Sequence, residues 1–428
     1  MNNLYSGIPK GFFLFIVILS PILCNAQTDF RQAYAEGLKA LEEGDYPAFL
    51  KHLILSDSLR PNHPVILYRL AAAHALNQQP EKSLDVLGYR ADFYALDDFS
   101  EDSIFTPLTS RQRYRDLLAS IEQANTPQQQ SKLVFKFDRT GFHPEGMVYA
   151  PSFNAFLLSD VRCGKIIRVD SKGKNIQTVF DLKEHGYWGA MGMAIDPRNA
   201  DHLWVSSSAL PNYCQYSETL EGASVILLLS LSEQKVLKEF TVEGKHVFGD
   251  LTISEKGEVF FTDSMNPAVY HIPTGASSAR EFVQDHRFWN LQGLALSANR
   301  LFISDYITGL YAINTTTSEV KSITDQNQKL RGTDGLYYAN GHLYLMQNGT
   351  RPFRLSSVQV DKRGMAVDGS LEVIDASHPD LNEPTLGTIH HGQLYFISNS
   401  PWAFYDSENN PELKDWPVIQ IRSIEVQE

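Results

Sequence analysis

Four oxygen-bearing side chains recur at equivalent places in the second half of the chain, each at a tight turn ahead of a short apolar strand. They are Glu145, Asp250, Gln292 and Asp334. Carboxylate and amide oxygens are the ligands of hard cations, and Ca²⁺ takes about six to eight of them. A carboxylate beside such a cation can also take a proton from water. The sequence therefore predicts a divalent-cation site, for Ca²⁺ first, if the fold brings these turns together. The alternative is that acids in tight turns accept backbone N–H bonds and hold no ion.

A repeat explains the spacing of these residues. From residue 143 onward, a tight turn, an apolar strand, Gly or Asn punctuation and an aromatic-rich strand follow one another six times. The turns read HPEGMVYA (143–150), AMGMAIDP (190–197), FGDLTISE (248–255), LQGLALSA (291–298), GTDGLYYA (332–339) and PTLGTIHH (384–391). Repeats built only from short strands are typical of a radial β-propeller with one blade per repeat. The predicted fold is an all-β six-bladed propeller over residues 132–428, with the entry turns on one face around the channel.

The sixth predicted blade runs out of chain after three strands. KLVFKFD (132–138), ahead of the first turn, alternates apolar and polar residues as a half-buried strand does. Pairing of this segment with VIQIRSIEV (418–426) would close the ring and remove two open sheet edges. We expect this pairing to complete the sixth blade.

The front of the chain has a helical period instead. Residues 28–125 predict a small all-α domain, in which Tyr34 and Tyr68 stand 34 positions apart. This period resembles tetratricopeptide repeats, with a degenerate third unit at 103–124. The resemblance implies a groove for a protein partner, and a structural domain packed against the propeller is the alternative. The Pro, Gln and Ser content of residues 126–131 is typical of a linker.

Residues 1–26 have the features of a secretory signal peptide. Lys10 precedes the apolar run GFFLFIVILSPIL, and a small residue precedes Gln27. A run of about a dozen apolar residues is shorter than the ~20 that span a bilayer. We therefore predict an exported protein, periplasmic or secreted, with no membrane span after cleavage. An uncleaved anchor and, through Cys24, lipoprotein processing are the alternatives.

Charge and motifs exclude several classes of function. Fifty acidic against 37 basic residues give a formal net charge of −13, which repels phosphate backbones and argues against nucleic-acid binding. The sequence contains no phosphate-binding glycine loop, Gly-x-Ser-x-Gly elbow, His-Glu-x-x-His or Cys-x-x-Cys. Nucleotide, serine-hydrolase and zinc chemistry are therefore unsupported.

Cys163 and Cys214 are the two cysteines that remain after the predicted signal peptide. Both fall in turns between the second and third strands of neighbouring blades, which places them on the channel-mouth face. In an oxidising compartment they either form a disulfide or remain two small unpaired residues.

Polar and aromatic residues close to the entry turns predict a pocket rim. They are His143, Trp188, His246, Trp289 and Arg331. On one face of the ring they would line a site for a small organic or sugar-like molecule, with histidine as proton carrier. The second-strand endings, such as Ser304-Asp305, recur in nearly every blade, which predicts that they satisfy turn amides rather than form one catalytic site.

The order of the turn residues resembles the SMP-30/gluconolactonase/LRE-like group of six-bladed propellers, over residues 132–428. The resemblance implies a divalent cation held by the first-blade Glu, the Asn of an N-G-L-A step and the Asp of a D-G step, with that Asp as general base in lactone hydrolysis. Glu145 and Asp334 match this pattern. Gln292 replaces one Asn on a longer stem, and Gly249 replaces another, with Asp250 beside it.

Two functions follow from these observations. One is an exported, divalent-metal-dependent lactone or ester hydrolase, with Asp334 as the catalytic residue and a small molecule at the channel mouth. The other is a non-catalytic ligand-binding or scaffold propeller with a protein-docking helical domain. The retained Glu145 and Asp334 favour the enzyme, whereas Gly249 and Gln292 favour the scaffold.

Overall fold

The structure, a computed structural model, describes residues 21–323, 329–364 and 366–427. Most of the predicted signal peptide, residues 1–20, lies outside the described residues. Within the described ranges, no helix is both long and apolar enough to cross a membrane.

Six antiparallel sheets surround a central channel and confirm the predicted fold class. The strands of the described chain are β1 (Gln128–Gln129), β2 (Lys132–Phe137), β3 (Pro144–Ala150), β4 (Ala155–Asp160), β5 (Lys165–Val169), β6 (Gln177–Asp181), β7 (Gly189–Ile195), β8 (His202–Ser208), β9 (Ser224–Ser230), β10 (Lys235–Phe240), β11 (Phe248–Ile253), β12 (Val259–Asp263), β13 (Ala268–Ile272), β14 (Arg280–Gln284), β15 (Leu291–Ser297), β16 (Arg300–Asp305), β17 (Gly309–Asn314), β18 (Val320–Ile323), β19 (Leu336–Ala339), β20 (His342–Gln347), β21 (Arg354–Gln359), β22 (Glu372–Ala376), β23 (Gly387–His390), β24 (Gln393–Ile397) and β25 (Ile419–Glu425). Blades 1 to 5 take four consecutive strands each, from β3 to β22, and their innermost strands face the channel.

The sixth blade is completed by the N-terminal strand, as the alternation of its sequence predicts. Strand β2 pairs antiparallel with β25, from Lys132 opposite Ser423 to Phe137 opposite Ile419. The order of this blade is therefore β23-β24-β25-β2. Phe135, 4% exposed, turns inward and joins a core cluster shared by blades 1 and 6.

The segment predicted as a linker runs along the outer edge of blade 5. Strand β1 pairs with β22, and the Asp375 carboxylate accepts hydrogen bonds from the backbone of Gln130 and Ser131 at 2.8 and 3.0 Å. Arg422, buried in β25, donates to the Ser131 carbonyl at 2.7 Å. These bonds fix the path of the chain between the helices and the ring.

The helical region consists of α1 (Pro21–Glu42), α2 (Tyr46–Leu59), α3 (Pro64–Leu76), α4 (Pro80–Ala91), a 3₁₀ helix (Ser103–Leu108) and α5 (Gln112–Ala124). Further 3₁₀ turns lie at Leu182–His185, Glu218–Leu220, Pro401–Ala403 and Leu413–Asp415. Helices α2, α3 and α4 each have proline in the first turn, where its missing N–H costs nothing. Phe49, Leu53 and Phe105 are fully buried between the helices.

The helices dock on the face of the ring that carries the entry turns. Ala95 N donates to the Arg351 carbonyl at 2.7 Å, and Arg351 N donates to the Phe93 carbonyl at 2.9 Å. Asn62 Nδ2 donates to the Ile307 carbonyl at 3.0 Å. Ile307 and Arg351 lie in the turns after β16 and β20, so the helical region covers the channel-mouth side of blades 4 and 5.

Removing the inward side chain of the closing strand should destabilise the whole ring. We expect Phe135→Ala to lower the free energy of unfolding by about 3–5 kcal/mol, because it leaves a cavity between two blades. Chemical denaturation followed by far-UV circular dichroism measures this loss. The exposed neighbour in the same strand provides the control, since Lys136→Ala should change stability by only about 0.5 kcal/mol. Equal effects of the two changes would contradict the closure.

Candidate functional site

The entry turns meet at a cavity of about 180 Å³ at the channel mouth. All four predicted metal-site residues line it, namely Glu145, Asp250, Gln292 and Asp334. Below it, a channel of about 390 Å³ runs between the inner strands, and Asp250 and Leu386 line both spaces. The structure thus brings together side chains that are up to 189 positions apart in the sequence (334 − 145).

β-Bulges aim these side chains at the axis. In the first four blades, the pairing of the inner strand shifts register within its first residues. The shifts enclose Glu145-Gly146, Met191-Gly192, Gly249-Asp250 and Gln292-Gly293. Bulges are used in this way beside functional sites, because they redirect a side chain. In the first blade the bulge requires glycine, since a Cβ on Gly146 would lie 2.3 Å from the Met191 carbonyl oxygen.

Glu145 is 5% exposed and lines the cavity. Trp402 Nε1 donates to its Oε2 at 3.0 Å. Burial raises the pKa of Glu145 well above its ordinary value, and the neighbouring negative charge of Asp334 adds to this. The two carboxyl groups therefore resist carrying a full charge at the same time.

Asp334 is held by a short chain of polar groups. Asn348 Nδ2 donates to Asp334 Oδ2 at 2.6 Å, and the Tyr306 hydroxyl donates to Asn348 Oδ1 at 3.0 Å. Burial raises the pKa of Asp334 to about 7, although the Asn348 bond opposes the change. The asparagine fixes the orientation of the carboxylate and leaves its other oxygen without a donor from this chain of groups.

Asp250 and Gln292 occupy the neighbouring turns. Asp250 accepts hydrogen bonds from Leu251 N at 2.8 Å and Leu294 N at 3.3 Å, while burial raises its pKa to about 7. The Gln292 amide donates to Asn290 Oδ1. Gln292 Oε1 lies 3.9 Å from the point that a Cβ on Gly249 would occupy. The amide of Gln292 thus extends toward Gly249, which has no side chain of its own.

Glu383 is a fourth carboxylate of the cavity. It stands at the entry to blade 6 with φ +63°, in the left-handed region that favours glycine. Burial raises its pKa to about 7, with the positive charge of Arg351 opposing. Glu383 directly precedes the sixth entry turn (384–391), but it was not among the predicted metal-site residues.

A cap covers the cavity, and sequence reasoning missed it. The 398–418 connection between β24 and β25 contributes Trp402, Tyr405, Asp406, Ser407 and Asn409, and the 209–223 loop contributes Leu210, Pro211 and Asn212. Cys163 and Cys214 form a disulfide that ties this second loop to blade 1. The unusual length and aromatic content of residues 398–418 were the available signal.

The predicted rim residues lie elsewhere, and none of the five lines this cavity among the described residues. His143 is fully buried below the cap, where its Nδ1 bonds the Tyr405 hydroxyl at 2.7 Å and its ring meets Trp402 edge-on at 4.4 Å. Burial lowers its pKa to about 3, so it stays neutral and supports the cap. Its backbone N–H donates a hydrogen bond to the Asp160 carboxylate at 3.1 Å. The entry turn therefore holds the backbone of His143, while the cap buries its side chain.

The other four predicted rim residues have different partners. His246 Nδ1 lies 2.7 Å from Asp263 Oδ2, and its ring stacks on Phe248. Arg331 lies 5.0 Å above the Tyr89 ring, in the contact with the helical region. The backbone N–H groups of Trp188 and Trp289 donate to strand-end side chains. These residues hold blades and domains together, so the predicted rim does not form around this cavity.

The donor chemistry of the cavity fits a hard cation in part. Carboxylate and amide oxygens face one space, and the repulsion between Glu145 and Asp334 is the kind that a dication relieves. However, no group of three or more His, Cys, Asp or Glu side chains within the described ranges is arranged to hold a metal ion. A metal site in this cavity would therefore be formed by the carboxylates of Glu145 and Asp334 together with amide oxygens.

The acids at the strand ends satisfy turn amides, as expected from their recurrence. Asp305 accepts four backbone N–H bonds, from Trp289 and Asn290 at 2.6 and 2.8 Å and from Ile307 and Thr308 at 2.9 Å each. Asp263 does the same for Val247 and its own following turn. Each carboxylate joins the entry turn of its blade to the turn after the second strand.

Comparison with known proteins gives distant structural likenesses. Neither a protein-family model nor a curated protein sequence matches the chain. The PQQ-bound aldose sugar dehydrogenase from Streptomyces coelicolor is 15% identical over 70% of this chain and 99% of its own, with a TM-score of 0.46. A catalytically inactive virginiamycin B lyase from Staphylococcus aureus with quinupristin is 13% identical over 69% and 99%, with a TM-score of 0.46. At these values the likeness carries no conclusion about activity or ligand.

A strand-end acid should matter for stability and not for chemistry. Asp305→Asn places an amide NH₂ against two of the four backbone donors, so we expect a loss of about 2–3 kcal/mol in the free energy of unfolding. Denaturant titration of this variant, beside Asp138→Asn, tests the point, because Asp138 is exposed and makes no such set of bonds. Unchanged stability in Asp305→Asn would show that these bonds are dispensable.

Proposed function

We propose that this protein is a divalent-metal-dependent hydrolase of a lactone or ester, with its active site in the channel-mouth cavity. The observation that supports the proposal is the convergence of Glu145, Asp334 and Gln292 on one largely enclosed space. Buried carboxylates that repel each other are costly unless a cation or a proton compensates them. The resemblance of these turns to the SMP-30/gluconolactonase group is part of the proposal, because it implies a divalent cation and lactone hydrolysis.

Glu145, Asp334 and the Gln292 oxygen would hold the metal ion, with Ca²⁺ as the first expectation. When bound, such an ion supplies Lewis-acid polarisation of a carbonyl oxygen. Asp334 would remove the proton from the attacking water, because Asn348 holds one of its oxygens in a fixed direction. Trp402 would keep Glu145 oriented through the bond at 3.0 Å. The cap would restrict bulk water, which strengthens electrostatic interactions inside the cavity.

A non-catalytic ligand-binding or scaffold protein is the second candidate. Two observations favour it. Gly249 offers no side-chain ligand, and no triad of acidic, His or Cys side chains in the described chain is arranged to hold a metal. In that case the cavity would bind a small molecule without turning it over. Export of the chain and a protein partner for the helical region are further parts of our proposal, compatible with either candidate.

A thermal melt should reveal whether the cavity binds an ion. An ion that binds only the folded protein stabilises it by about 2.7 kcal/mol at 100 times its Kd. We expect Ca²⁺ to raise the Tm and EDTA to reverse the increase. The double variant Glu145→Ala/Asp334→Ala should lose the response. A Ca²⁺ shift of equal size in that variant would place the ion elsewhere, and no shift in the wild-type protein would argue for the binding protein.

Asp334 should be the residue most sensitive to a conservative change. Asp334→Asn keeps the shape and one ligand oxygen but removes the base, so turnover of a lactone or ester should fall about 10²-fold or more. Steady-state kinetics per folded molecule measures this fall, with Asp305→Asn as the control that loses stability and keeps turnover. Full activity of Asp334→Asn on a substrate that the wild-type protein hydrolyses would refute the assignment of the base.

A further inference from the structure

The cavity is lined by acidic side chains. Its charged lining residues are Glu145, Asp250, Asp334, Glu383 and Asp406, whereas none of the described residues that line it is Lys, Arg or His. Even with two carboxylates assigned to a metal ion, negative charge remains on the walls. Such a surface attracts cations and repels carboxylate or phosphate ligands.

The positive charge of Arg351 acts on Glu383, but the side chain of Arg351 contacts other partners. Its Nη1 donates to the carbonyl oxygens of Asn348 and Thr350 at 3.1 and 2.8 Å. Its guanidinium lies 4.1 Å above the Phe353 ring. The positive charge of Arg351 opposes the increase in the pKa of Glu383 and so favours its ionised form, but Arg351 does not line the cavity.

Glu383 differs from the other three buried carboxylates in how it is held. Trp402 donates to Glu145, two backbone N–H groups donate to Asp250, and Asn348 donates to Asp334. No hydrogen bond or ion pair to another described residue holds the carboxylate of Glu383. Glu383 is half-buried, and a carboxylate in a cavity wall without a donor of its own is available to pair with a cationic group of a ligand.

The cavity also offers aromatic surface and one amide donor. Trp402, Tyr405, Leu210 and Pro211 line the cavity. Asn212 is only 7% exposed, and its Nδ2 lies beside the Tyr405 hydroxyl without hydrogen-bond geometry. A buried amide without a partner is costly, and a carbonyl oxygen of a ligand would satisfy it. Carboxylates combined with aromatic rings are the usual surroundings of organic ammonium groups.

We propose that the cavity recognises a small ester or lactone that carries a protonated or quaternary amine, with Glu383 pairing with the ammonium group and Asn212 donating to a carbonyl oxygen. The ester or lactone part rests on the proposed hydrolase function, whereas the cationic part rests on the cavity itself. A volume of about 180 Å³ is below the ~300–1,000 Å³ of typical drug-sized sites. The ligand is therefore small, with one ring or a short chain.

Two ligands of nearly the same shape test the charge preference. Acetylcholine and 3,3-dimethylbutyl acetate differ in a quaternary nitrogen that replaces a carbon. We expect kcat/KM for the cation to exceed that for the neutral ester by about tenfold, which corresponds to 1.4 kcal/mol. Binding of choline and of 3,3-dimethylbutanol, measured by calorimetry, provides the same comparison without turnover.

Glu383→Gln should reduce both ratios toward one, because it removes the charge and keeps the size of the side chain. Glu412→Gln is the matched control, since Glu412 is exposed on the same cap and does not line the cavity. Circular dichroism verifies that both variants fold. The wild-type comparison of the two isosteres tests the proposal without any variant.

The possible results separate the two proposals. A preference for the cation that Glu383→Gln removes and Glu412→Gln retains would support the inference. Tighter binding of choline without hydrolysis of either ester would support cation recognition and count against the hydrolase. Hydrolysis of both esters at equal rates, with equal binding of choline and its neutral isostere, would overturn the inference and leave the hydrolase standing.

Discussion

The pairing of β2 with β25 is the constraint on which the site depends. A propeller fixes the positions of its inner strands only when the ring is closed, because an incomplete blade leaves one strand edge without hydrogen-bond partners. Here a strand from before the first blade provides the last hydrogen-bonded edge. Closure brings the turns of blades 1, 5 and 6 together, so that Glu145, Asp334 and Glu383 share one cavity although they are far apart in the chain.

Convergence of this kind has an electrostatic cost. Burial raises the pKa of Asp250, Asp334 and Glu383 to about 7 each, and it raises the pKa of Glu145 well above its ordinary value. The protein meets part of the cost with donors from the backbone, from Asn348 and from Trp402. The remainder is left for something that enters the cavity, and both proposals begin from this cost: the metal proposal at Glu145 and Asp334, and the ammonium proposal at Glu383.

The parts of the structure that repeat could be predicted from the sequence, and those that occur once could not. Strand alternation, turn glycines and strand-end acids recur in the blades, and radial symmetry then predicted that Glu145, Asp250, Gln292 and Asp334 would meet. The cap is built from two connections between second and third strands, in blades 2 and 6, that are much longer than their counterparts. The repeat therefore did not indicate that Trp402 covers the cavity. The rim prediction failed for a related reason. His143 has the turn position of a surface residue, but a cap 262 positions away buries it against Tyr405.

The helical region helps to position residues of the cavity. The backbone of Arg351 is hydrogen-bonded on both sides to residues that follow α4, and its side chain donates to the carbonyl oxygen of Asn348. Asn348 in turn holds Asp334. The turn that carries Asn348 and Arg351 is positioned by its neighbours in the ring and also by a helical partner, as is the turn of blade 4 that carries Ile307. These contacts favour the structural role of the helices over that of a separate docking module, because the orientation of Asp334 is fixed through bonds that begin outside the ring.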